Sequence, residues 1–185
     1  MSFLLNPFVF AAAGGDFESI ATVTVGSGGA SSIEFTSIPG TYQHLQVRLI
    51  GRSDRAAAGD YIRVQLNSDT GSNYAWHELR GDGANATATG SSSQTGGIVK
   101  QITGASNGAN EFGSVVIDIL DYTETSKNTT VRSLGGFDSN GDGQIVLMSS
   151  LWANTSAVTS LKLESQAGSS NWVEHSTAAL YGIKA

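Results

Sequence analysis

The stretch Asp138-Ser139-Asn140-Gly141-Asp142-Gly143-Gln144-Ile145 holds the densest set of potential ligand atoms in the chain. Oxygen-bearing side chains stand at loop positions one, three and five, with glycine at six and an apolar residue at eight, as in the first part of a calcium loop. Position twelve of such loops supplies a bidentate glutamate; here it is Ser149. The flanks alternate like strands, and Asn-Gly followed by Asp-Gly is also what a tight hairpin needs. A plain turn is the stronger reading of Asp138, Asn140 and Asp142, and no cofactor or metal is expected.

The remaining chemistry-bearing residues are scattered. His44, His77 and His175 fall on three different expected strands, the last two beside Glu78 and Glu174. Zinc-type His-x-x-x-His spacing is missing, and no strand–turn–helix elbow presents a nucleophile. Glu34, Asp118, Glu164 and Glu174 could be invoked as a glycosidase carboxylate pair, but nothing in their spacing pairs them. Ser91-Ser92-Ser93 lacks the Gly-Lys-Ser/Thr that ends a phosphate loop. Tyr74, Trp76, Trp152, Trp172 and Tyr181 supply ring faces; Trp76, Trp152 and Trp172 would carry a glycan platform if they shared a surface. Core or subunit interface is the stronger reading of these rings, because large aromatics contribute most there. No enzyme is expected.

The elements that must hold these residues are strands. Within Ser32 to Leu66, Ile33 and Phe35, then Leu45, Val47 and Leu49, then Ile62, Val64 and Leu66 alternate with polar residues, so each run has one apolar face. Pro39-Gly40 makes a turn between the first two. The outward row Gln46, Arg48, Arg63 and Gln65 offers Arg48 and Arg63 as a possible subunit interface. Further strands are expected at Ile20–Val25, Tyr74–Leu79, Ile98–Ile102, Phe112–Leu120, Thr129–Leu134 and Gln144–Trp152. Ala157–Glu164 and Val173–Lys184 are expected to form a last hairpin. Phe112–Leu120 has apolar residues on both faces, which suggests a central strand. Gly81 to Gly97 contains no large apolar residue and reads as a long surface loop. Short strands with turn signals between them and no helix predict an all-β, jelly-roll-like antiparallel β-sandwich over residues 16–185.

Residues 1–15 form a separate apolar arm ending in Gly14-Gly15, with Phe3, Leu4, Leu5, Phe8, Val9 and Phe10. Asn6-Pro7 interrupts the run and no basic residues precede it, so neither a secretory signal nor a membrane span is expected. Such a segment is either part of the chain's own core or a partner-binding arm, carried by Phe3, Leu4, Leu5, Phe8 and Phe10. The 185 residues carry a net charge of -6, only 14% are charged, and there is no cysteine. A nucleic-acid partner is not expected without a basic face, and disulfides and thiolate chemistry are excluded.

Three segments, SIEFTSIPGTYQHLQVRLIGRS, FGSVVIDILDYTETSKNTTVRSLGG and STAALYGIK, together with the opening MSFLLNPFVF, resemble a group of bacteriophage virion proteins: small jelly-roll modules of tail appendages or capsid exteriors. The resemblance covers nearly the whole chain. It implies a non-enzymatic structural protein on the virion exterior, of the capsid decoration or cement type. It also implies self-association, with trimers most expected, and contacts to other virion proteins such as the major capsid protein or tail proteins. A tail-fibre or receptor-binding tip that recognises host glycans is the alternative. Neither nucleic acid nor membrane is an expected partner.

Overall fold

The computed structural model describes residues 15–166 and 168–184. Fourteen strands account for the fold, and among the described residues there is no helix. They are β1 (Phe17–Thr24), β2 (Ser32–Phe35), β3 (His44–Gly51), β4 (Gly59–Asp60), β5 (Ile62–Leu66), β6 (Tyr74–Gly81) and β7 (Ala86–Gln94). The second half supplies β8 (Gly97–Ile98), β9 (Ile102–Thr103), β10 (Gly113–Leu120), β11 (Thr129–Ser139), β12 (Asp142–Trp152), β13 (Leu161–Ser165) and β14 (Thr177–Ile183).

They build an antiparallel β-sandwich of unequal sheets. The larger has eight strands in the order β1-β14-β3-β10-β11-β12-β6-β7; the smaller has four, β2-β13-β5-β8; β4 and β9 form a two-stranded ribbon. Leu45, Val47 and Leu49 of β3, Val115, Ile117 and Ile119 of β10 and Ala178 and Leu180 of β14 face Ile33, Phe35, Ile62, Val64, Leu66, Leu161 and Leu163 of the smaller sheet. The alternation read in Ser32 to Leu66 is therefore the core itself. Its three strands are split between the layers, β2 and β5 in one sheet and β3 in the other.

Trp172 closes one end of the core. Its backbone pairs with Ala30 and its indole N–H donates to the Leu163 carbonyl at 3.2 Å. Gly51 lies under this ring, and a Cβ there would come within 2.7 Å of it. Trp152 closes the other end, stacked on Tyr74 with 6.3 Å between centroids. Burial pushes the Tyr74 hydroxyl up to about 12.

Three expectations change. Gly81–Gly97 is not a loop: most of it is β7, paired along β6. Sequence pattern missed it because β7 is exposed along nearly its whole length and so has no apolar period to show. The last hairpin does not form, since β13 pairs with β2 and β5 while β14 pairs with β1 and β3. Alternation marks a strand but not its sheet. The Ile98–Ile102 strand is two short pieces, β8 and β9, in different sheets.

Asp69 ties the β5–β6 turn to Trp152. Its Oδ2 accepts from the indole N–H at 2.7 Å and from the Asn73 amide at 2.9 Å, and its Oδ1 accepts from the Gly71 N–H at 2.8 Å. These donors, the indole first, hold the carboxyl below its ordinary range. A depressed carboxylate binds its proton more weakly in the folded state than in the unfolded chain. Its contribution is complete above the unfolded value, near pH 4, and is lost as pH falls through the folded value. Asp69→Asn should cost about 1.5–3 kcal/mol at neutral pH, the scale of charge-assisted hydrogen bonds. The gap to the wild type should close below about pH 4. Urea unfolding followed by circular dichroism across pH checks this; a gap that does not change with pH would contradict it.

Candidate functional site

The broadest candidate site is the outer face of the eight-stranded sheet, the face turned away from the core. Strand register places its residues in rows. One row crosses all eight strands: Thr22, Ala179, Arg48, Val116, Leu134, Leu147, Leu79, Ala88. Its middle is wholly apolar. The next row reads Ile50, Ser114, Gly136, Ile145, Gly81, Ala86. Ile50, Leu79, Leu134, Ile145 and Leu147 are each more than half exposed, up to 62% at Ile145, and Val116 and Leu151 are more than a third exposed. Beside them a shallow groove of about 560 Å³ runs along Val116, Leu134, Gly136 and Ile145.

On the other side of the apolar patch the row Gln46, Asp118, Arg132, Ser149, His77 is polar, with the Gln46 amide donating to Asp118 at 2.9 Å. Toward the β1 edge, Phe17 stacks on Tyr181 at 4.7 Å, and the Arg48 guanidinium lies 5.2 Å from the first ring and 5.6 Å from the second. At the same edge Lys184 donates to Glu18, which also accepts from the Tyr42 hydroxyl at 3.0 Å. The Lys184 ammonium, then the Tyr42 hydroxyl, holds the Glu18 carboxyl down. An apolar centre with a polar and aromatic margin is the composition of a protein-binding surface.

This patch escaped the sequence reading, though its signal was present. Phe112–Leu120 and Gln144–Trp152 both carry apolar residues on both faces. For Phe112–Leu120 that pattern indicated a central strand, and β10 is indeed the fourth of eight. Its second apolar face, however, is left exposed among the described residues.

The residues singled out from sequence are dispersed. Arg48 lies in the apolar row. Arg63 lies on the opposite side of the sandwich, where its Nε donates to Glu164 at 3.0 Å. The two arginines therefore do not share one face, because β3 and β5 belong to different sheets. Trp152 and Trp172 are 1% and 2% exposed and are core residues, not surface platforms, since both cap the space between the sheets. Trp76 is half-buried and packs on Ile98, Val146 and Met148. Asp138, Asn140 and Asp142 sit at the β11–β12 hairpin, whose two-residue loop is Asn140-Gly141, with Gly141 at φ 103. Asp138 and Asp142 line a cleft of about 400 Å³ together with Asp82. Among the described residues no group of three or more His, Cys, Asp or Glu comes together in a way that could hold a metal ion. His44, His77 and His175 remain apart, His44 accepting from the Asp121 N–H at 2.9 Å. The arm residues Phe3, Leu4, Leu5, Phe8 and Phe10 lie outside the described residues.

One buried charge cluster sits under β6. Lys100 pairs with Glu78, and both are buried. The ammonium lies 3.9 Å from the Tyr61 ring centroid and 5.4 Å from that of Trp76. Arg80 Nε stands 3.9 Å from the same glutamate, and Arg55 faces the buried Asp60 at 3.7 Å. Every charge here has an opposite charge beside it, so the cluster is structural. Glu78→Gln strands the Lys100 ammonium and should cost about 3–5 kcal/mol, whereas Glu78→Gln with Lys100→Met should recover most of that loss. Chemical denaturation of the two variants measures it; equal losses would show that the pair is not the source. No protein family, curated protein or solved structure matches this chain.

Proposed function

We propose that the chain is a non-enzymatic structural protein of a bacteriophage particle, displayed on the virion exterior as a capsid decoration or cement protein. The observation that carries the reading is the outer apolar face of the large sheet, uncovered among the described residues, on a chain with no cysteine and few charges. A face of this kind marks an interaction site, and repeated copies on a shell supply a partner for it.

Two further features support it. The resemblance of the three segments points to virion modules. The sheet orders β1-β14-β3-β10 and β2-β13-β5-β8 interleave along the chain. The first crossings, β1 to β2 to β3, each change sheet, as in the double Greek key of jelly-roll capsid modules. The chain forms homo-oligomers, with a trimer the form the resemblance implies. Its N-terminal arm helps to fix it to the major capsid protein, a tail protein or a neighbouring copy. The alternative of a glycan-reading tail tip is weaker, because Trp152 and Trp172 offer no exposed ring.

Electron microscopy of intact particles carrying a tagged copy is expected to place the chain on the exterior of the shell. A tail location would favour the alternative, and absence from the particle would overturn the reading. Deleting residues 1–15 should weaken particle binding while leaving the sandwich folded; undiminished binding would remove the arm from the account.

A further inference from the structure

We infer that two copies of the chain associate through the outer face of the eight-stranded sheet, about a two-fold axis running along the strands between β11 and β12. The contact rests on the self-association proposed above and gives it two-fold symmetry in place of the trimer that the resemblance implies.

The size of the patch points to an interface. Six large apolar side chains, Ile50, Leu79, Val116, Leu134, Ile145 and Leu147, stand about 40% to two-thirds exposed in two adjacent rows of one face. Together they leave on the order of 500 Å² of apolar surface in water, the size at which a patch marks an interaction site. With the serines, glycines and arginine between them, the area approaches the roughly 800 Å² that each partner contributes to a standard interface.

The order of residues within the rows selects the occupant. An isologous contact sets one patch against itself, so the patch must be complementary to its own reverse. Reversing the eight-strand row about the β11–β12 boundary sets Leu134 against the partner's Leu147 and Val116 against the partner's Leu79. Arg48 meets the partner's Ala88 on the uncharged β7. In the polar row Asp118 meets the partner's His77, and Arg132 meets the partner's Ser149. No like charges oppose one another. Sheets packed face to face sit about 30° off parallel, which displaces the outer rows but keeps the central leucines in contact. Within one row of the apolar stripe the charges are Arg48, Arg132 and Asp118, so the approach does not bring together the chain's net charge of -6.

The test is the oligomeric state of the purified full chain. Sedimentation from low to high micromolar concentration is expected to show a dimer. Leu147→Glu changes a side chain that is 51% exposed, so the fold, checked by circular dichroism, should persist. That variant should weaken the dimer at least about a hundredfold, as a charge without a partner at the centre of an interface does. Asp118→Lys should weaken it less, and adding His77→Asp should restore it. A monomer throughout the range would overturn the contact, as would a trimer or a dimer indifferent to Leu147→Glu. So would a monomer that binds a hydrophobic dye only after residues 1–15 are removed, since the arm would then be what covers the face. None of these outcomes bears on whether the chain is found on a phage particle.

Discussion

A four-stranded sheet cannot cover an eight-stranded one, and much of this structure follows from that mismatch. Neighbouring strands lie about 4.8 Å apart, so the large sheet is roughly 38 Å wide and the small one roughly 19 Å. Most of the small sheet faces β1, β14, β3 and β10. Beyond β10 its edge strand β8 extends the cover over β12, with Ile98 packing on Val146 and Met148. Nothing among the described residues covers β7, which is exposed on both sides.

The composition of the inner face tracks this loss of cover. Along β6 the inward residues run Tyr74, Trp76, Glu78, Arg80: from a buried aromatic to a half-buried one, and then to charges. The charges are tolerable because they come in pairs. Glu78 has Lys100 and Arg80 beside it, and the rings of Tyr61 and Trp76 flank the ammonium. A buried pair of this kind contributes little net stability over an apolar substitute. Its effect is to end the apolar core without leaving a solitary buried charge. One strand further on, β7 keeps only small and polar side chains, which need no cover.

Where burial on one face imposed a period of two, the sequence was legible. Leu45, Val47 and Leu49, Ile62, Val64 and Leu66, and Val115, Ile117 and Ile119 all face the core as their spacing indicates. The Asn140-Gly141 turn was legible for a different reason, since Gly141 needs a positive φ. Three things were not legible, each for a physical reason. The β7 strand has no buried face and so no period. Alternation does not say which sheet a strand joins, which is why β13 and β14 looked like partners. Apolar residues on both faces of β10 and β12 indicate two apolar environments, but not whether the protein itself supplies the second. Local spacing likewise could not show that Trp152 and Trp172 cap opposite ends of one core, because their contacts come from distant parts of the chain.

The exposed surface of the large sheet poses two hazards of different kinds, and the structure treats them differently. A sheet edge offers unpaired N–H and C=O groups to any extended chain. Both edges here are irregular. The pairing of β1 shifts register between Ser19 and Ala21, and that of β7 shifts opposite the Tyr74–Trp76 step, near Ser93 at φ 54. Such shifts bend a strand and shorten the run that another chain can join. The outer face has no comparable interruption. Its rows stay in register from β3 to β6, and its aliphatic stripe lies inside the two edge strands. Backbone pairing at an edge accepts many sequences. Packing on a face gains only from a partner with a matching shape and a matching apolar area. Irregular edges and a regular apolar centre therefore favour one specific contact over open-ended strand addition.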